Sequence, residues 1–549
     1  MGQNTAELLV RCLENESVDY VFGLPGEENL HVLEALRHSA IQFITVRHEQ
    51  GAAFMADVYG RLTGKAGVCL STLGPGATNL MTGVADANLD GAPLVAITGQ
   101  VGTDRMHIES HQYLDLVSLF SPITKWNAQI VRPSNTAEIV RKAFKLAQTE
   151  KPGAVHIDLP ENIASMNALG HPLTQDRREK TAASHRMLNE AAIAISRAKN
   201  PLILAGNGII RAKASDALTE FATAFDLPVA NTFMGKGAIP YTHPLSLWTV
   251  GLQQRDHVSC AFEQADLVIA VGYDLIEYSP KKWNPQGQIP IIHIATSPAE
   301  IDSSYIPSVE VVGDICDSLL NIVRRAERPV SQEAVEEHTQ LRLKIRTEYE
   351  QYAQDNAFPL KPQKIIYDLR QVMDPFDIAI SDVGAHKMWM ARHFHCERPN
   401  TCLISNGFAA MGIAIPGAIA AKLVHPERNI VAVTGDGGFM MNFQELETAL
   451  RTQTPFITLI FRDDGYGLIE WKQKNQFGAA VFTAFQNPDF VQLAESMGLK
   501  GYRISSASEL IPTLQDAFTQ KIPSVIDCPV DYRENLKLSQ RLGNISCPI

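Results

Sequence analysis

The chain has 549 residues, 45% hydrophobic and 20% charged, with a formal net charge of −12 at pH 7. That length exceeds what one hydrophobic core supports, so three domains are expected, and an acidic balance without a basic stripe excludes a nucleic-acid footprint. The most apolar stretch, Gly407 to Ala421, is interrupted by Pro416 and falls short of the roughly 20 residues that span a bilayer, so no membrane partner is expected. The opening Met1-Gly2-Gln3-Asn4-Thr5-Ala6 has no signal-peptide shape, which points to the cytoplasm. Eight scattered cysteines without a Cys-x-x-Cys pair read as ordinary thiols rather than a disulfide or zinc framework.

Along the chain, strand-like runs alternate with helical stretches, which predicts an α/β protein built of three doubly wound parallel-sheet domains at 1–165, 186–328 and 359–549. In the first, Glu49 follows the apolar run Ile41 to Val46 and opens a helix, where an acid is favoured by the dipole. The turn Gly74-Pro75-Gly76-Ala77-Thr78-Asn79 lies between a strand and a helix. His111-Gln112 sits in a polar segment, Arg105 to Asp115, where a solitary histidine is usually a surface residue. A polar linker is predicted over Ala164 to Ser184, including Asp176-Arg177-Arg178-Glu179. The second unit opens on Pro201 to Gly208; Gly206-Asn207-Gly208 lacks the complete Gly-x-Gly-x-x-Gly pattern, which favours a plain turn. Glu333 to Gln354 reads as a solvated connecting helix.

The third unit holds the most informative segment, Asn429 to Gly467. The apolar Ile430-Val431-Ala432-Val433 delivers the chain to Gly435-Asp436-Gly437, an amphipathic stretch from Asn442 to Leu450 follows, and a second apolar run ends at Asp463-Asp464-Gly465. A helix N-terminus favours a phosphate. Asp436 and Asp463 are 27 residues apart, so neighbouring strands bring both carboxylates to one edge. Hard oxygen ligands beside a phosphate suit Mg²⁺, and the pattern points to a metal diphosphate.

Gly-Asp-Gly followed at this distance by Asp resembles the motif of the thiamine diphosphate enzymes, where Asn is more usual than Asp463. The resemblance implies thiamine diphosphate and Mg²⁺ as cofactors, with Asp436, Asp463 and the Gly465 carbonyl on the metal and with Gly435, Gly437, Gly438 and Tyr466 lining the cofactor. It also implies that Glu49 bonds the aminopyrimidine ring, that Gly384 and His386 face the diphosphate, and that Asn406 and Met411 lie in the segment that bends the cofactor. The three domains are then pyrimidine-binding, middle Rossmann-like and pyrophosphate-binding. The active site is expected between subunits of a homodimer or homotetramer.

Within that family the chain resembles the catabolic, flavin-independent acetolactate synthases over almost its full length. The likeness runs through Phe120 to Lys125, Gly272-Tyr273, Glu277-Tyr278, Trp283-Asn284, Asp527 to Tyr532 and the His111-Gln112 pair. FAD is not expected, because Ala295-Thr296-Ser297 replaces the acidic residues of the flavin-binding relatives. The implied reaction decarboxylates pyruvate and joins the hydroxyethyl carbanion to a second 2-oxo acid, giving acetolactate and CO₂, with Gln112 and His111 beside the acceptor. Glu27, in Gly23-Leu24-Pro25-Gly26-Glu27-Glu28-Asn29, departs from the pattern. An acid there would repel a carboxylated acceptor and act as a proton donor, which keeps open a non-ligating 2-oxo acid decarboxylase or a carboligase with an aldehyde acceptor. A catalytically silent relative is a third reading, opposed by intact Glu49, Asp436 and Asp463. Glu470 and Trp471 are each one position off the family's substrate-contacting sites, so Trp471 is expected to pack.

Overall fold

The computed structural model describes residues 2–175, 180–251, 257–325 and 332–535. Asp176 to Glu179 of the expected linker, 326–328 of the middle domain and 536–549 of the last lie outside them. Three six-stranded sheets follow one another, and every strand pair within them is parallel.

The first sheet contains β1 (Tyr20–Gly23), β2 (Gln42–Thr45), β3 (Gly67–Ser71), β4 (Leu94–Gln100), β5 (Trp126–Gln129) and β6 (Ala154–Pro160) in the order β2-β1-β3-β4-β6-β5. The second contains β7 (Pro201–Ala205), β8 (Val229–Asn231), β9 (Ser246–Thr249), β10 (Leu267–Val271), β11 (Ile291–Ala295) and β12 (Val309–Val312), ordered β12-β11-β10-β7-β8-β9. The third contains β13 (Ile378–Ser381), β14 (Cys402–Ile404), β15 (Ile430–Gly435), β16 (Ile457–Arg462), β17 (Lys500–Arg503) and β18 (Ser524–Pro529), ordered β14-β13-β15-β16-β18-β17. Central strands such as β4, β10 and β18 are buried along their whole length. Helices cover both faces, which is why these strands read as unbroken apolar runs instead of alternating.

The first and third domains share a core. Helix α1 (Glu49–Thr63) packs against α2 (Pro75–Asp90) and against α3 (Ala414–Val424) of the third domain. Ala52, Ala53, Ala56, Gly417, Ala418 and Ala421 let the backbones approach; a Cβ on Gly417 would lie 2.9 Å from Val58 Cγ2. Polar clamps fix the docking. Buried Glu445 accepts from the Arg47 and His48 amides, both at 3.0 Å. Buried Arg61 is shared by Asp57 (2.6 Å), Asp86 (3.1 Å) and Asp90 (2.7 Å) and donates to the Ile404 carbonyl, while Asp86 and Asp90 receive Ser405 Oγ and the Asn406 amide. Burial pushes Asp86 well above the carboxylate range.

One expectation needs correction. The charged segment forms a helix at Gln332–Glu350, but it is not simply solvated: Leu341, Ile345 and Tyr349 are buried in the core with Trp248 and Phe262. The spacing i, i+4, i+8 places them on one stripe that dense charge masks in the sequence.

Candidate active site

The first domain gathers its predicted residues at the carboxyl ends of its strands. Glu49, the first residue of α1, is buried, and Asn79 Nδ2 donates to its Oε2 at 2.9 Å. Its other oxygen faces Gly76, where a Cβ would approach to 3.2 Å. At Gly74 φ is +51°, and a Cβ would meet Gln112 Cβ and its carbonyl oxygen at 2.8 Å, so this close approach requires glycine. Gln112 itself has φ +58°, and with His111 it is exposed in the chain. Glu49, the Gly74 turn and Gln112 are thus linked by contact along one edge.

Glu27, the acid that departs from the family pattern, sits in the loop after β1. It lies exposed in the short turn Glu27–Asn29, whereas Glu28 is turned in and receives Thr72 Oγ1 at 2.6 Å.

In the third domain Gly435 ends β15, and helix α4 (Asp436–Asn442) starts directly at Asp436, six residues earlier than the amphipathic stretch suggests. Asp436 Oδ1 accepts from the Gly437 amide at 2.9 Å. Its Oδ2 accepts from the amides of Asp463 (3.2 Å) and Asp464 (2.7 Å) and from Asn487 Nδ2 (2.8 Å). Asn487 also holds Asp464 at 2.8 Å; a lone Asn before Pro488 gave the sequence no signal for this role. Burial raises Asp436, and burial followed by the charge of Asp436 pushes Asp463 up to about 8. These are two like charges sharing one enclosed corner.

His386, at the start of helix α5 (Ala385–His393), is 2% exposed, and its Nε2 is buried without a hydrogen-bond partner among the described residues. Burial drops its pKa to about 3, so the ring is neutral. Its Nδ1 would lie 3.3 Å from a Cβ on Gly435. A Cβ on Gly437 would strike the Tyr466 ring at 2.8 Å, and one on Gly438 would meet Thr434 Oγ1 at 3.0 Å. The preceding Gly384 is the N-cap of α5. Gly465 bridges to Ala484, and the Tyr466 amide bonds the Thr483 carbonyl at 2.8 Å. Met411 is half-buried beside Gly412, whose amide is held by Asp382. Asn406 is committed elsewhere: its Nδ2 donates to the Glu277 carbonyl at 2.9 Å, making it an interdomain clip. Trp471 is buried, in line with packing.

The residues fit a metal diphosphate. The carboxylates of buried Asp436 and half-buried Asp463 repel one another and are relieved by a dication, and the unpartnered His386 nitrogen is a buried polar atom that a phosphate oxygen would satisfy. No cluster of three or more His, Cys, Asp or Glu side chains that could hold a metal occurs among the described residues, so a metal held here would take its further ligands from backbone, water or phosphate oxygens. A cleft of roughly 430 Å³ runs past Asp463, Asp464, Gly467, Glu470 and Tyr532. A separate cavity of roughly 140 Å³ at the domain junction carries no comparable chemistry. Its Arg61 is bound by the three aspartates, Arg211 by Glu150, and Lys236 by Thr249 and the Ala391 carbonyl.

In the middle domain the Gly206-Asn207-Gly208 turn is filled from within. Glu277 accepts from the Asn207 amide at 3.0 and 3.1 Å, from Thr232 Oγ1 at 2.5 Å and from the Asp274 amide at 3.2 Å. Burial pushes it up to about 7.

Paired domains of one strand order, with a Gly-Asp-Gly turn and a second acid on one and a buried Glu on the other, define a cofactor-dependent enzyme of the thiamine pyrophosphate class. Family models agree: the N-terminal TPP binding domain matches residues 3–119, the central domain 188–322 and the C-terminal TPP binding domain 382–528. The chain belongs to the thiamine pyrophosphate enzyme family. Among its relatives it is 35% identical to "Acetolactate synthase" of Bacillus subtilis (strain 168), over 97% of this chain and 94% of that one. It is 36% identical to "Acetolactate synthase, catabolic" of Raoultella terrigena, over 98% and 97%.

Proposed function

We propose that the chain is a thiamine diphosphate- and Mg²⁺-dependent acetolactate synthase, which decarboxylates one pyruvate and joins the two-carbon unit to a second. The observation that carries this reading is the corner of buried Asp436 and half-buried Asp463 beside the unpartnered His386 nitrogen, matched by buried Glu49 on the equivalent edge of the twin domain. Asp436, Asp463 and the Gly465 carbonyl would hold the metal. His386 Nε2 and the amides from Gly435 to Gly438 would hold the diphosphate, with Met411 and Tyr466 against the rings. When bound, thiamine diphosphate supplies the electron sink that stabilises a carbanion.

Glu49 is placed to hold and return a proton at the aminopyrimidine, with Asn79 fixing its second oxygen. Gln112 donates and accepts without titrating, which suits orienting an acceptor ketone, and His111 stands beside it. Glu277 already occupies the middle-domain turn where a nucleotide phosphate would lie, which supports a middle domain without FAD.

A second copy of the chain would complete the site. Large apolar side chains are exposed near both edges, among them Phe408, Met441, Tyr466 and Ile469 on the third domain and Ile108 and Leu114 on the first.

A product assay tests the function. With pyruvate, thiamine diphosphate and Mg²⁺, acid treatment of the product is expected to yield acetoin; acetaldehyde in its place would replace this reading with simple decarboxylation.

A further inference from the structure

Tyr532 lies just beyond β18, in the Asp527 to Tyr532 run, and lines the cleft that passes Asp463. Its ring rests against the start of helix α6 (Gly467–Phe477). A Cβ on Gly467 would come within 3.1 Å of Tyr532 Cδ2 and 2.2 Å of Asp463 Oδ2, so ring and carboxylate flank the same glycine. The Tyr532 hydroxyl oxygen is buried, and no acceptor for its hydrogen is found among the described residues. Asp463, Asp436 and Cys528 act on it through charge, the His386 backbone N–H lies on its acceptor side, and burial keeps the phenol protonated. Asp463 accepts nothing from the hydroxyl, which leaves that donor free. A second orphan, His386 Nε2, lies at the same sheet edge. Buried polar groups are nearly always satisfied, so two unpaired ones converging on a metal-diphosphate corner mark a missing acceptor.

We propose that the Tyr532 hydroxyl donates to the terminal phosphate of the cofactor, making Tyr532 an anchoring residue of the diphosphate. This rests on the thiamine diphosphate reading above. It adds a contact from the loop after β18 to those supplied after β13, β15 and β16.

The test measures binding of thiamine diphosphate and of thiamine monophosphate, each with Mg²⁺, by titration calorimetry on wild type, Tyr532→Phe and Tyr532→His. Loss of a hydrogen bond to a charged acceptor should weaken diphosphate binding by about tenfold or more in Tyr532→Phe. Monophosphate affinity should be unchanged, and Tyr532→His, which keeps a donor, should recover part of the loss. Unchanged diphosphate affinity in Tyr532→Phe would overturn the assignment, as would equal losses for both compounds, which would place the effect on the metal carboxylates. Failure of the wild type to bind thiamine diphosphate would overturn the functional reading itself, and this assignment with it.

Discussion

The first and third domains have the same strand order, second-first-third-fourth-sixth-fifth, yet their carboxyl edges carry opposite chemistry. On the first, a single buried acid, Glu49, receives one side-chain hydrogen bond and keeps an oxygen facing the Gly76 backbone. On the third, Asp436 is held by four donors and crowded by Asp463, a charge pair that favours a cation. The same scaffold thus carries a lone acid on one edge and a charge pair suited to a cation on the other. The topology decides where loops emerge, and the residues in those loops decide what each edge does. The middle domain, with the order β12-β11-β10-β7-β8-β9, supplies neither, because Glu277 closes its turn.

Breaking one edge at a time separates their roles. Asp436→Ala should have the largest effect: loss of metal charge stabilisation should cut acetolactate formation by about 10³-fold or more and abolish calorimetric binding of thiamine diphosphate with Mg²⁺. Retained binding would mean that the third domain does not hold the metal. Glu49→Gln should leave the fold and cofactor affinity intact while slowing exchange of the cofactor C2 proton by about 10² to 10⁴, read by NMR after transfer to deuterated solvent. Equal exchange rates in the two proteins would remove Glu49 from proton handling.

The smallest effect concerns the middle domain and depends on pH. Burial raises Glu277 from 4.5 to about 7, so the folded chain holds this proton more tightly than the unfolded one. The stabilisation is fully present below about pH 4.5 and is lost as pH rises through about 7. Stability of the wild type relative to Glu277→Gln should therefore fall across that window, as followed by urea unfolding at several pH values. A flat difference would show that Glu277 does not titrate there.

Much of this was legible in the residues. The runs ending at Gly435 and Arg462 are apolar except for the β-branched Thr434 and Thr458, so both strands and the acids just beyond them could be placed from pattern alone. Glu49 was legible because helix starts favour acids and because the surrounding motif is long. Other features were hidden by their dependence on distant partners. Which of the adjacent acids Glu27 and Glu28 turns inward depends on Thr72, 44 residues from Glu28. Asn406 was expected at the cofactor, but Glu277 of another domain captures its amide. Asn487 acquires its role because its loop folds back onto Asp436, 51 residues earlier.

The sequence by itself determined three parallel α/β units, the spacing of Asp436 and Asp463, and the helix start at Glu49. These are local matters of hydrophobic period, glycine placement and the alternation of strands with helices. Only the tertiary structure decided that α1 and α3 merge two domains into one core, that Glu277 fills the middle turn, and that His386 and Tyr532 are left with unpaired polar atoms at the same corner. The physical reason is that burial and hydrogen-bond satisfaction are properties of segments far apart in the chain, fixed only when packing brings them together.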